Sequence, residues 1–328
     1  MSSDRTVLLT GGAGFIGSHV AEALLARGDR VVNVDSFDSF YDPAIKRRNV
    51  EAALAHPRYL LLEGDIRDQR TLASAWEHAP FHGVVHLAAR AGVRPSIQQP
   101  ALYDDVNVRG TTLMLEMARR HDSGHFVLGS SSSVYGATSP VPFRESEPAD
   151  RPSSPYASTK RANELACHAY HHVYGMDITC LRFFTVYGPR QRPEMAIHKF
   201  TRLIDAGEEV ELYGDGTSRR DYTYIDDIVD GVRRALDRPA GYRIYNLGAT
   251  ATTALVDLAR MISERLGRPL RLRHLPEQAG DVPITYADVS RARDDLGYRP
   301  ATPIAEGLTR FVDWYRAAAA GRGGVEAA

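Results

Sequence analysis

Apolar positions along the first half of the chain fall into two alternating rhythms. Short runs rich in Val, Ile and Leu, at 7–10, 31–35, 59–63, 83–88, 126–129 and 178–183, have the length and composition of buried strands. Between them, segments 15–27, 71–78, 102–121 and 156–174 repeat their apolar residues at helical spacing. Strands alternating with helices build parallel βαβ units, so the pattern predicts an α/β fold with a doubly wound parallel sheet. After Tyr187-Gly188-Pro189 the rhythm loosens. Prolines and glycines become frequent, and short helices are expected at 196–206 and 255–266. The predicted organisation is a main domain over 1–186 and a smaller C-terminal domain over 187–328. Residues 222–248 are expected to return partly to the first, with 244–248 rejoining the sheet. No internal repeat is present. The Ala/Gly-rich tail after Arg316 is expected to fray.

Composition narrows the class. With 328 residues, 43% hydrophobic and 25% charged, the chain can bury a large core. Forty basic residues against 41 acidic ones leave a net charge of -1, which argues against a nucleic-acid partner. Cys167 and Cys180 are the only cysteines, so neither a disulfide framework nor a zinc site is expected. The apolar run at Val7 begins too early for a signal peptide, and no apolar run is long enough to span a membrane. A cytoplasmic protein without a membrane partner is the expectation.

Two segments carry chemistry. Gly11, Gly14 and Gly17 follow a strand and open a helix, where glycine lets the backbone turn tightly against a pyrophosphate seated on the helix N-terminus. Asp35 ends the second strand about twenty residues later, placed to accept hydrogen bonds from an adenosine ribose. Its carboxylate would repel a 2′-phosphate, which favours NAD over NADP, although Lys46, Arg47 and Arg48 follow. Asp65-Ile66, after the third strand, suits an adenine. The second segment is Pro155-Tyr156-Ala157-Ser158-Thr159-Lys160. Residues four apart share a helix face. An ammonium beside a phenol lowers the phenol pKa and makes the tyrosine a usable general base. Upstream, the serines at 130–133 end a strand.

Together, Thr10 to Gly17, His86-Leu87-Ala88-Ala89, Ser130 to Gly136, Tyr156 to Lys160 and Arg182 to Pro189 resemble the extended short-chain dehydrogenase/reductase family over almost the whole chain. Within it, His86 to Arg94, Arg182-Phe183-Phe184-Thr185-Val186-Tyr187-Gly188-Pro189, Gly214 to Asp221 and Gly280-Asp281-Val282-Pro283 are similar to UDP-glucuronate 4-epimerases. The resemblance implies a Rossmann-type NAD domain, a UDP-sugar-binding C-terminal domain and C4 epimerisation through a 4-keto sugar. It implies Ser131, Tyr156 and Lys160 as catalytic, with Lys160 also on the nicotinamide ribose. The cofactor would be NAD, held by Gly11, Gly14, Phe15, Ile16, Gly17, Asp35, Asp65, Ile66, Leu87, Ala88, Ala89, Asn107, Tyr156 and Lys160.

For the substrate, the resemblance implies Ser132, Ser133, Thr185, Arg192, Arg220 and Asp281. Many nucleotide-sugar relatives carry asparagine at the position of Thr185. A threonine leaves room there for a substituent on C5, and Arg192 could fork onto its carboxylate. Arg220 and Asp281 match positions that hold the diphosphate and the uridine ribose. Pro95 departs from the uronate pattern, so UDP-glucose 4-epimerisation stays open, as do UDP-glucuronate decarboxylation and an NAD-sensing regulator without turnover. Arg90 and Arg94 could meet substrate or cap a helix. The resemblance also implies a homodimer, joined through the helices at 102–121 and 156–174.

Overall fold

The computed structural model describes residues 5–276 and 282–323. Val7, Leu8 and Leu9 have no exposed surface, and neither do Val31, Val32, Val84, Val85, Phe126 and Val127. Strands covered on both faces belong in a parallel sheet. They form β1 (Thr6–Thr10), β2 (Arg30–Asp35), β3 (Tyr59–Glu63), β4 (Gly83–His86), β5 (His125–Ser131) and β6 (Ile178–Phe183). The second half adds β7 (Thr185–Tyr187), β8 (Val210–Tyr213), β9 (Arg219–Arg220), β10 (Tyr222–Tyr224), β11 (Tyr242–Leu247), β12 (Thr253–Ala254) and β13 (Leu272–Leu275). The main sheet runs β3-β2-β1-β4-β5-β6-β11, and every pairing in it is parallel. The expected return of the chain to this sheet is therefore made by β11. Alternate residues point to opposite faces. Leu9, Val31, Val85 and Val127 join one apolar cluster, while Leu8, Val32, Val84 and Phe126 join the other.

The strand order reverses between β1 and β4, and an open α/β sheet offers its ligand crevice at the carboxyl ends of the strands there. The helices of the first half are α1 (Phe15–Ala26), α2 (Pro43–Leu54), α3 (Gln69–Trp76), α4 (Val93–Gln98), α5 (Pro100–Tyr103), α6 (Gly110–Arg120) and α7 (Pro155–Tyr174). Those of the second are α8 (Ala196–Asp205), α9 (Ile225–Leu236), α10 (Leu255–Leu266), α11 (Ser290–Leu296) and α12 (Ile304–Gly323). Three two-stranded ladders, β7 with β10, β8 with β13 and β9 with β12, build the second half beside the crevice.

Three expectations change. The helix foreseen over 102–121 is broken: α5 leads into a π-helical turn at Asp104–Arg109, and only then does α6 begin. The turn carries Asn107, whose amide bonds the backbone of Arg90 rather than facing outward. Helix α2 was missed although its start is well marked. Asp42 accepts from the Ala44 amide at 2.9 Å, and Pro43 sits in the first turn, where its missing N–H costs nothing. The tail does not fray at Arg316, because α12 runs on through Gly323.

Candidate active site

The crevice holds a cavity of about 510 Å³. Of the residues assigned from sequence to catalysis, cofactor or substrate, all but two line it. Asn107 stands behind the wall and Asp281 lies outside the described residues.

At one end is the glycine loop. Gly11 has φ +74°, and a Cβ there would come within 2.7 Å of the Ala88 amide nitrogen. A Cβ on Gly17 would collide with the Gly11 carbonyl oxygen. These two glycines are demanded by the close passage of the loop, α1 and the Leu87-Ala88 turn. Gly14 is different: a Cβ would meet only the Gly11 oxygen at 3.2 Å, and its φ of -73° suits any residue. It is the N-cap of α1 and makes no side-chain cap, so the first-turn amides keep their capacity for an anion. Asp35 holds this loop. Its Oδ2 accepts from the Ala13 amide and its Oδ1 from the Phe37 amide, both at 2.9 Å. Burial nevertheless raises its pKa, against the pull of those two hydrogen bonds. Asp65 forms an ion pair with Arg67 at 2.6 Å, next to Ile66.

At the other end, three consecutive residues of β5 meet α7. Ser154 caps α7 by accepting from the Ala157 amide at 3.1 Å. Lys160 donates from Nζ to the Gly129 carbonyl at 2.7 Å. Ser130 donates to Glu164 Oε1 at 2.7 Å. Ser131 hydrogen-bonds Tyr156, and also accepts from the Ser133 amide at 3.2 Å and the Ser133 hydroxyl at 3.0 Å. Ser132 and Ser133 thus begin a tight 3-10 turn that Ser131 caps.

The expected lowering of the Tyr156 pKa by Lys160 is not made. Desolvation raises the Tyr156 pKa, and only the Ser131 hydrogen bond and the charge of Arg192 oppose it. The Lys160 ammonium is spent on the Gly129 carbonyl, and burial lowers its pKa to about 8, against the pull of Glu164.

The sugar-side residues converge from the second half. Thr185 opens β7 and is tied through its amide to the Asp221 carbonyl at 3.1 Å. Arg192 pairs with Glu194 at 3.2 Å and stacks 5.5 Å from the Phe40 ring centroid. Arg220 follows Arg219 on β9 and reaches the cavity wall. Among the described residues, six cationic side chains and three carboxylates line the cavity. That excess suits a ligand carrying phosphate or carboxylate groups.

Sequence reasoning missed several contributors. The loop after β2 brings Phe40 and Tyr41 to the wall, and Phe37 adopts φ +48° under the grip of Asp35. Arg90, left undecided from sequence, also stacks on Phe40 at 5.1 Å and pairs with Asp38 at 2.7 Å. Arg94 instead stacks on Tyr213. Three aromatic residues within 37–41, between a strand and a capped helix, were the available signal. Asp221 was passed over too. It accepts from the amides of Ala249, Thr250 and Ala287, and burial pushes its pKa up to about 6. Lys46 donates to the Asp38 carbonyl at 2.6 Å, and Arg47 pairs with Glu63. Two of the three basic residues that kept NADP open, Lys46 and Arg47, therefore have partners. Among the described residues there is no cluster of His, Cys, Asp and Glu able to hold a metal, and no helix long and apolar enough to cross a membrane.

Comparison with known proteins agrees with this geometry. The family model described as GDP-mannose 4,6 dehydratase matches residues 8–311. UDP-glucuronate 4-epimerase 4 of Arabidopsis thaliana is 42% identical over 329 residues, covering 94% of this chain and 75% of its own. Among solved structures, UDP-glucuronic acid 4-epimerase from Bacillus cereus, in complex with UDP-glucuronic acid and NAD, superposes with a TM-score of 0.90 at 33% identity, over 96% of this chain and all of the other. UDP-glucose 4-epimerase from Thermotoga maritima, with UDP-glucose, gives 0.89 at 31% identity over the same shares. Backbone shape therefore does not separate an acidic from a neutral sugar, and the side chains around the cavity must.

Proposed function

Because the chain belongs to the family of GDP-mannose 4,6-dehydratase, within the extended short-chain dehydrogenases/reductases, we propose that it is an NAD-dependent 4-epimerase that interconverts UDP-glucuronate and UDP-galacturonate. The observation that carries this reading is the convergence of Arg192 and Thr185 on the cavity that holds Tyr156, Ser131 and Lys160. The charge of Arg192 already bears on the Tyr156 hydroxyl. A cation there, beside a short side chain, suits a sugar whose C5 carries a carboxylate.

NAD fits the glycine loop: Gly11 and Gly17 have no space for a side chain, and the α1 N-terminus is uncapped. Gly14, Phe15, Ile16, Asp35, Asp65, Ile66, Leu87, Ala88, Ala89 and Lys160 would hold it, and Asn107 would act from behind by fixing the Arg90 backbone. When bound, NAD would supply the acceptor for a C4 hydride and the donor for its return. Tyr156 takes and returns the proton of the C4 hydroxyl, and Ser131 steadies the same oxygen. Desolvation holds the phenol protonated in the ligand-free protein, so the acid/base role begins once a ligand changes its surroundings. Ser132 and Ser133 border the sugar, and Arg220 with Asp281 would take the diphosphate and uridine ribose. A 4-keto uronate is a β-keto acid prone to lose CO2. Restraint of the carboxylate by Arg192 and Thr185 keeps it on the epimerisation path.

We also propose a cytoplasmic homodimer. Leu165, Val173 and Tyr174 leave apolar surface exposed on α7, and the two cysteines are buried free thiols.

Incubation with UDP-glucuronate and, separately, UDP-glucose, followed by NMR of the products, tests the reading. UDP-galacturonate as the favoured product supports it. Faster turnover of UDP-glucose points to the neutral-sugar epimerase, a UDP-pentose points to the decarboxylase, and bound nucleotide without any turnover points to a sensor.

A further inference from the structure

Gly129, Ser130 and Ser131 lie in a row at the carboxyl end of β5, and each is joined to a different turn of α7. Gly129 takes the Lys160 ammonium, Ser131 bonds Tyr156, and Ser130 donates to Glu164. Tyr156, Lys160 and Glu164 occur at intervals of four and so share one face of the helix. Glu164 has no exposed surface. Its carboxylate accepts from Arg182 Nε at 2.9 Å and Nη2 at 2.8 Å, and from Arg161 at 3.0 Å. Arg182 on β6 is itself 1% exposed and stacks 4.7 Å from the Tyr135 ring centroid. A buried, fully bonded carboxylate of this kind contributes little net stability over an apolar replacement. Its position at the back of the Ser-Tyr-Lys row gives it a use.

We propose that Glu164 is a positioning residue for the acid–base chemistry: through Ser130 it sets the place of Ser131, and it supplies the buried negative charge that faces the Lys160 ammonium. The proposal rests on the assignment of Tyr156 and Lys160 to that chemistry. The charged and titratable neighbours are few. Lys160 is exposed to Glu164 and Cys180, and its own charge acts on His86, whose Nδ1 lies 2.6 Å from Thr10 Oγ1. Around Glu164 are Arg182, Arg161 and Ser130, and the Tyr242 hydroxyl donates to its backbone carbonyl at 2.9 Å. Burial works against the Lys160 ammonium, and Glu164 is the first group that works for it. Removing that charge while keeping the shape should let Lys160 lose its proton at lower pH.

The chain offers a direct readout. Only three of its 40 basic residues are lysines, Lys46, Lys160 and Lys199. A [13Cε]lysine-labelled enzyme thus shows three side-chain signals, and the Lys160→Met spectrum assigns one. With the enzyme as purified, Glu164→Gln is expected to move the Lys160 titration and the alkaline limb of the kcat profile down together, by about half a pH unit or more. KM for the UDP-sugar should stay within about twofold, since no substrate contact is lost. Glu164→Asp should restore most of the profile. Ser130→Ala should lower kcat without shifting the limb.

A folded Glu164→Gln enzyme with an unmoved Lys160 titration, or with a loss that is flat across pH, overturns the proposal. Glu164→Gln leaves Arg182 buried without its partner and could unfold. The double variant Glu164→Gln/Arg182→Gln removes one charge of each sign, so its Lys160 titration should move less than in the single variant, while a kcat loss like that of Ser130→Ala supports the proposal and an unchanged kcat overturns it. Loss of activity in Tyr156→Phe separately tests the acid–base assignment, so the two can fail independently.

Discussion

Replacing Arg192 with alanine tests the choice of sugar. The Arg192 side chain is 18% exposed, and its ion pair to Glu194 at 3.2 Å involves a carboxylate that is 45% exposed. An ion pair of that kind is worth about 0.2–1 kcal/mol. A charge-assisted bond to a partly desolvated substrate carboxylate is worth about 1.5–3 kcal/mol. Subtracting the pair that Arg192 gives up leaves about 0.5–2.8 kcal/mol, or roughly 2- to 100-fold in kcat/KM. The stacking of Arg192 on Phe40 keeps the guanidinium in place in the free protein, so little ordering cost is subtracted. Arg192→Ala should therefore lower kcat/KM for UDP-glucuronate by that factor and leave UDP-glucose within about twofold. NMR should also detect some decarboxylated product, because the β-keto acid loses its restraint. Initial rates on both sugars, with product identification, decide the matter. An equal loss on the two sugars would refute the clamp and assign Arg192 to the diphosphate, which both sugars share.

Tyr156→Phe keeps the ring beside Tyr103 and removes only the proton-transfer hydroxyl; it should retain bound NAD while kcat falls by about two to four orders of magnitude. Lys160→Met addresses the burial of the ammonium in NAD-stripped protein. The Lys160 pKa is about 8 folded and about 10.4 unfolded, so the penalty is full below pH 8 and fades as pH rises to about 10.4. Methionine should thus raise unfolding free energy by up to about 3 kcal/mol below pH 8, less about 1 kcal/mol for the lost bond to Gly129, with the gain gone above pH 10.4; a gain that grew with pH would contradict the sign. Asp35→Ala should weaken NAD binding and also lower Tm, since the carboxylate holds the Ala13 and Phe37 amides; an unchanged Tm would show that the loop stands without it. A monomer mass in solution at micromolar protein would remove the dimer proposal.

Much of the site could be read from residue order because its chemistry is local. A strand-glycine-helix junction depends on a dozen neighbouring residues, and the Gly11 and Gly17 contacts follow directly from that tight turn. The Tyr156 and Lys160 pair needs only a helix, and Pro155 and Ser154 mark its start. Alternating strands and helices determined the parallel sheet, since a strand buried on both faces has no other home. Electrostatics were beyond that reach. The ammonium of Lys160 is turned to Gly129, and desolvation controls the Tyr156 phenol, because both depend on what β5 places against α7. Asn107 was legible as a residue but not as a clamp on Arg90, which needed the π-helical turn to put two segments 17 residues apart in contact. Glu164 lay in plain view at the same helical interval. Its meaning came only when β5 and β6 brought Ser130 and Arg182 to it, since a carboxylate acquires its charge state and its partners from burial, and burial is a property of the assembled core.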